Sequence, residues 1–339
     1  MTAGILSRSK RREAAQGLRR VNPRLDMAAV ARLIETSFAG DLDRLGRQMV
    51  REMQSFGRAG WLGWLIGHLF LPPAAFPQGF VWQEGDRLVG NASLLPVGSG
   101  SSRWVLANVA VDPAFRRRGI AMRMVQACLE MAGDHHVDEI VLQVGSDNKG
   151  AKALYRKLGF TEWTTRTEWV QRSERRVRRD PGVAIRKRQQ DEWRAEWALA
   201  QELFPEGLYW PYPLDSAWFS PEGWRAFLSP AASRHWVVAE REGAITAGIS
   251  ARFSQDSRGW RLALLVPPDE RPELEVALVR RALHDLHPSG LGVSLSYPPG
   301  EVDSAWSGLG FRPRRTLSWM GITLSDDLGR RGSRESRER

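Results

Sequence analysis

The residues best placed to do chemistry are Arg116-Arg117-Arg118-Gly119-Ile120-Ala121. They follow an apolar run at 104–111 and precede a helical run at 122–132. This order predicts a strand, a short turn, and a glycine that opens a helix. A helix N-terminus presents unpaired N–H groups and the positive end of a dipole, which together seat an anion. Gly119 has no Cβ to hold a ligand away from the backbone. The three arginines add charge, and the expected guest is a pyrophosphate. Two familiar pyrophosphate binders do not fit. The chain lacks Gly-x-Gly-x-x-Gly near its first strand, and it lacks the Gly-Lys-Ser/Thr of a P-loop.

The pattern Arg116-x-x-Gly119-x-Ala121 resembles the acetyl-CoA loop of the GNAT acetyltransferases. Downstream, a predicted strand at 139–145 leads into Asn148-Lys149-Gly150-Ala151-Lys152-Ala153-Leu154-Tyr155-Arg156-Lys157-Leu158-Gly159-Phe160. That segment resembles the second GNAT signature, at the expected distance. On these two motifs residues 18–170 are identified as a member of the family. The resemblance implies an α/β fold, a mixed and twisted sheet flanked by helices. It also implies acetyl-CoA as co-substrate and a primary amine, on a small molecule or a protein, as acceptor. By the same resemblance Asn108, Val109 and Val111 line the pantetheine arm. The loop Arg116, Arg117, Arg118, Gly119, Ile120 and Ala121 receives the pyrophosphate. Asn148 matches the asparagine that contacts pantetheine. Lys152, with Lys149 and Arg156, is a candidate for the 3′-phosphate, and Tyr155 stands where the family keeps its general acid.

Acetyl transfer to an amine needs a held thioester, a base that keeps the amine neutral, and an acid for the departing thiolate. A phenol, with an ordinary pKa near ~10, suits the last task. The competing reading for Tyr155 is a packing residue whose hydroxyl bonds to backbone. The base is not supplied in the usual way. Ribosomal-protein N-terminal acetyltransferases, which the first half resembles most, carry a glutamate on the strand before the second motif. Here Gln143 occupies that position, and an amide cannot take up a proton at neutral pH. A water relay, Glu84 or Asp215 remain as alternatives. Cys128 falls mid-helix and reads as a small apolar core residue. His135 and His136 read as partners of a helix C-terminus rather than metal ligands. His68 and His235 are isolated and receive no role. No metal spacing is present.

The chain has 339 residues, which suggests two domains. One cysteine rules out an internal disulfide and fits a cytoplasmic setting. No apolar run reaches the ~20 residues of a membrane span, and the tryptophan-rich stretch at 61–71 reads as a buried helix or pocket wall. The net charge is +10, with basic clusters at 8–20, 172–179 and 330–339. No aromatic interleaves with these charges, so solvated segments are expected, with nucleic-acid binding through the basic ends as the alternative.

The expected organisation is a basic leader at 1–16, a GNAT domain at 17–171, a basic linker at 172–182, a degenerate GNAT-like domain at 183–325, and a basic tail at 326–339. The second domain is expected because the order of elements repeats. Leu158-Gly159-Phe160 also recurs as Leu309-Gly310-Phe311. Its loop position has no glycine and carries Asp269, Glu270, Glu273 and Glu275, which would repel phosphate. Trp306 stands where Tyr155 does. This half is therefore expected to bind no acetyl-CoA. Its roles would be to shape the acceptor cleft, with the aromatic segment at 208–219, to carry a homodimer contact, or to stabilise the first half. The rival to the enzyme is a non-catalytic CoA-binding or nucleic-acid-associated protein on the same fold.

Overall fold

In a computed structural model the chain is described over residues 17–23, 25–38, 51, 54, 78–96, 102–172, 177–178, 182–204, 216–220, 233–240, 244–254, 259–270, 273–300 and 302–324. The leader, the tryptophan-rich stretch with His68, most of the aromatic segment with Asp215, and the tail lie outside them. The chain divides into two compact units. Unit 1 is Met1–Trp163 with Met320–Arg339, and unit 2 is Thr164–Trp319.

The first half supplies β1 (Gly17–Arg20), α1 (Met27–Ser37), β2 (Gln78–Glu84), β3 (Arg87–Pro96), β4 (Arg103–Val111), α2 (Ile120–Asp134), β5 (Glu139–Gly145), α3 (Lys149–Lys157) and β6 (Thr161–Gln171). The second half repeats the order with β7 (Arg186–Lys187), α4 (Trp193–Leu203), α5 (Ser216–Phe219), β8 (Ser233–Glu240), β9 (Ala244–Ser254), β10 (Gly259–Leu265), α6 (Glu273–Leu286), β11 (Gly292–Tyr297), α7 (Asp303–Gly308) and β12 (Arg312–Thr323). Strand β7 is only two residues long, and Val183 and Ile185 just before it pack onto the unit 2 core.

In unit 1 the strands β1 to β4 form an antiparallel meander, and β5 adds parallel to β4. Helix α2 makes that crossover, as a parallel connection requires. Its apolar positions Ile120, Met124, Cys128, Met131 and Ala132 recur at helical spacing and are buried with Leu94, Leu106, Ile140 and Leu142. Unit 2 follows the same plan, with β7 to β10 antiparallel and β11 parallel to β10.

The closing strands are exchanged relative to the sequence expectation. The neighbour of β5 is β12, and the neighbour of β11 is β6. Val293 to Tyr297 pair antiparallel with Gln171 to Thr167. Leu324 N–H donates to the Asp138 carbonyl at 2.8 Å, so the far end of the chain closes unit 1. Both closing strands have similar alternation, and periodicity does not encode which edge a strand will find. Both units end their last helix alike. Gly159 and Gly310 adopt φ of 92° and 88°. Phe160 and Phe311 then return an N–H to the carbonyls of Tyr155 and Trp306, each at 3.0 Å. The repeated Leu-Gly-Phe is thus a left-handed helix stop followed by an aromatic anchor.

No helix among the described residues is long and apolar enough to cross a membrane. One contact makes the exchange testable. Thr161 Oγ1 donates to the Gly321 carbonyl at 3.3 Å, and the Trp163 ring lies on Gly321 so closely that a Cβ there would fall 1.9 Å from the ring. Gly321→Val should therefore destabilise the protein by about 1–3 kcal/mol, as overpacking does. Denaturant unfolding would read that loss, whereas Gly133→Ala, where a Cβ meets nothing within 4 Å, should be neutral or stabilising.

Candidate active site

The site begins where two parallel strands part. β4 pairs with β5 only through Arg103↔Glu139, Trp104↔Ile140 and Val105↔Val141. Beyond Val105 the facing edges of β4 and β5 bond to no partner strand, although both strands continue. Buried backbone groups need partners, so this opening is built to receive an extended polar guest.

A bulge on β4 shapes the opening. The β3–β4 register shifts between Asn91 and Ser93, from Asn91↔Ala110 to Ser93↔Ala107, so Asn108 and Val109 together stand opposite the single residue Ala92. Asn108 has φ of 53°, in the left-handed region that asparagine tolerates better than most side chains. Asn91, 1% exposed, pins the bulge. Its Nδ2 donates to the Asn108 carbonyl at 2.8 Å and to Ser93 Oγ at 3.1 Å. The sequence reading found Asn108 but missed Asn91. The structure buries both faces of β3 from Val89 to Leu94, whereas alternation puts Asn91 on the face of Arg87 and Ser93, so periodicity carried no signal for it.

The loop after β4 is held by its own side chains. Asp112 Oδ1 accepts from Ala114 N–H at 3.0 Å and starts a 3-10 turn at Pro113–Phe115. Arg116 Nε donates back to the Val111 carbonyl at 3.1 Å. Arg118 donates to the Ala114 carbonyl at 3.3 Å and lies over the Phe115 ring at 4.9 Å. Two of the three arginines therefore tie the loop, while Arg117 is exposed, with φ of 65°. Gly119, at φ 76°, opens α2 with no side-chain cap, and the first turn holds no acid. Its N–H groups are left for an anion. Ile120 is buried in the core below, and Ala121 is half-buried. Val109 and Val111 pack on the same core.

Tyr155 on α3 is 6% exposed and sits edge-on to Phe160 with ring centroids 5.7 Å apart. Burial pushes its phenol well above the ordinary tyrosine value. Asn148 Oδ1 accepts from Ala151 N–H at 3.0 Å, so the asparagine caps α3. Lys152 and Arg156 both hold Glu162, each at 2.9 Å. Lys149 is exposed. Gln143 is half-buried on β5. Glu84 accepts from the Trp82 indole at 2.9 Å and lines a groove between β1, β2 and α2, together with Arg123 and Glu130. Cys128 is fully buried, and burial pushes its thiol up to about 12, which suits a core residue and not a nucleophile. His135 is exposed at the end of α2, 5.4 Å from the Trp104 ring. No group of metal-ligating side chains occurs among the described residues.

Unit 2 repeats the opening with different side chains around it. Pairing between β10 and β11 stops at Leu262↔Leu295. Past that point the Tyr297 hydroxyl donates to Glu275 in the first turn of α6, and both residues are buried. Tyr297 packs edge-on to Trp306 at 5.8 Å, and Trp306 to Phe311 at 6.4 Å. The second half thus places a carboxylate at the helix end where the first half places none.

Residues 47–160 match the family model Acetyltransferase (GNAT) family. N-alpha-acetyltransferase RimI of Mycobacterium tuberculosis is 33% identical over 98 residues, 26% of this chain and 60% of that protein. [Ribosomal protein bS18]-alanine N-acetyltransferase of Salmonella typhimurium is 38% identical over 64 residues, 19% of this chain and 43% of that protein. Human N-acetyltransferase 8 is 33% identical over 84 residues, 24% and 37% respectively. The match spans less than two thirds of each relative. Among solved structures, a GCN5-related N-acetyltransferase from Sphaerobacter thermophilus aligns with a TM-score of 0.59 at 14% identity, over 90% of this chain and 95% of that one. A tandem GNAT protein from the clavulanic acid biosynthesis pathway aligns with a TM-score of 0.52 at 17% identity, over 91% of this chain and all of that one. At these identities the structures speak for the fold alone. Residues 47–160 therefore match the GNAT acetyltransferase family, and the fold is similar to that of a tandem GNAT protein.

The bulge gives a sharp test. Asn91→Ala removes both bonds and should cost about 1–3 kcal/mol. Asn108→Gly relieves the positive φ that Asn91 holds in place, so in the Asn91→Ala background it should return about 1 kcal/mol. Urea denaturation of the double-mutant cycle reads the coupling; simple additivity of the two changes would show that Asn91 does not hold the bulge.

Proposed function

We propose that the first half is an acetyl-CoA-dependent N-acetyltransferase that passes an acetyl group to a primary amine, of a small molecule or a protein, by direct attack. The observation that carries this reading is the uncapped, acid-free N-terminus of α2, opened by Gly119 at the end of the unpaired stretch of β4. An anion at that helix end and an extended amide-bearing arm along β4 are the two parts of a CoA thioester. The proposal also gives unit 2 no acetyl-CoA, because Glu273 and Glu275 stand in the first turn of the helix that would seat its phosphates.

Acetyl-CoA supplies a carbonyl carbon activated by sulfur; as the amine forms the new C–N bond, the C–S bond breaks. The chain's part is to orient and to move protons. Those amides of Asn108 to Val111 that face β5 hold the arm in line, and the amides of Arg117 to Met122 hold the phosphates. Tyr155 keeps its proton at neutral pH and gives it to the departing thiolate. Lys152 serves the cofactor only by sharing itself with Glu162, since that pair is already formed. A second reading, a non-catalytic CoA-binding protein, is favoured by Gln143, which cannot act as the base.

Calorimetric titration of acetyl-CoA should show micromolar affinity for the intact protein and a loss of about tenfold or more for Gly119→Trp. Equal binding by the variant would end the proposal. Tyr155→Phe should keep that affinity while lowering kcat by about 10²–10⁴ with any accepted amine. The sign of its pH dependence follows from the raised phenol. The acid form persists through and above the ordinary value of ~10, so turnover should not fall between pH 7 and 9 through loss of this proton. Binding without turnover for every amine tried would leave the non-catalytic reading.

A further inference from the structure

We propose that unit 2 carries a separate site for a phosphate-bearing small molecule, in the groove between β7, β8 and the C-terminal half of α6. The groove holds a cavity of about 710 Å³, within the ~300–1,000 Å³ of small-molecule sites. Its lining is basic from three directions: Lys187 and Arg188 beside β7, Arg234 and His235 on β8, Arg281 and His284 on α6.

The carboxylates nearby are spent on fixing these side chains. Asp285 Oδ2 accepts from the Trp236 indole and from Arg281 Nε, each at 2.9 Å. Glu196, fully buried, binds Arg188 at 2.8 Å and His235 Nδ1 at 3.0 Å. Arg188 is 7% exposed on its side chain, and its Nε has no partner among the described residues. That guanidinium has more donors than acceptors around it. Arg234 is exposed, lying over the Trp260 ring at 5.3 Å with a bond to the Asp285 carbonyl at 3.3 Å, so its charge is held at the rim. Lys187 is exposed as well. His284 Nδ1 faces the Val177 carbonyl at 3.0 Å, which only accepts; that nitrogen carries a proton and Nε2 is left over.

One feature of the lining argues against an incidental patch. Last-turn cations on α6 would complement its dipole, but Lys187, Arg188 and Arg234 come from outside that helix. Donors converging from three elements suit a tetrahedral anion with three free oxygens better than a flat carboxylate.

The test uses the full chain carrying Gly119→Trp, so that the loop of unit 1 does not contribute. Inorganic pyrophosphate is titrated by calorimetry at fixed ionic strength, with citrate as the carboxylate arm. Saturable binding tighter than about 1 mM, weakened at least about tenfold by Lys187→Glu with Arg234→Glu, and at least about tenfold tighter than citrate, is the expected result. Both substituted residues are exposed, and a thermal melt without ligand checks the fold. If the reversed charges unfold the protein, Lys187→Gln with Arg234→Gln should give a smaller loss in the same direction. Absent or non-saturating binding, equal binding by the variants that fold, or citrate binding as tightly would overturn the proposal.

Discussion

Everything at the site depends on one constraint: where two parallel strands part, their backbone donors and acceptors must find partners elsewhere. Both units create this situation at the same point, after Val105 in one and after Leu262 in the other. The two solutions differ. Unit 2 packs Tyr297, Glu275 and Trp306 against one another past the point where its strands part. Unit 1 leaves it open and adds a bulge that turns Asn108 into a left-handed conformation, held by the buried amide of Asn91. A positive φ at a non-glycine residue costs energy that the surroundings must supply. The two bonds from Asn91 are that supply, which ties the shape of the opening to one side chain on the neighbouring strand.

Much of this was legible in the chain. The strand–loop–helix around Gly119 and the segment 148–160 fold as their residue types predict. Local chemistry alone specifies an uncapped glycine start, an asparagine cap and a left-handed stop. The duplication was legible for the same reason, since Leu-Gly-Phe performs one local task twice. What escaped was every feature made by residues distant in sequence. The exchange of β6 and β12 is a choice of partner edge, and alternation is silent on that. Trp163 against Gly321 and Asn91 beneath Asn108 are contacts across strands. His235 was isolated in sequence because its partner, Glu196, lies 39 residues away on a helix.

Charge shows how the duplicated halves have diverged. In unit 1 the helix start after the fourth strand is free of acid, and the groove between β1, β2 and α2 is lined by Glu84 and Glu130 against Arg123. In unit 2 the helix start carries Glu273 and Glu275, and the groove at the far end of the helix is lined by four cations and two histidines against Asp285. The fold is the same, so the difference lies in the side chains. A helix N-terminus attracts anions with its dipole, and a single buried carboxylate in the first turn cancels that attraction. A groove at the other end works against the dipole, and only added cations can make it hold an anion.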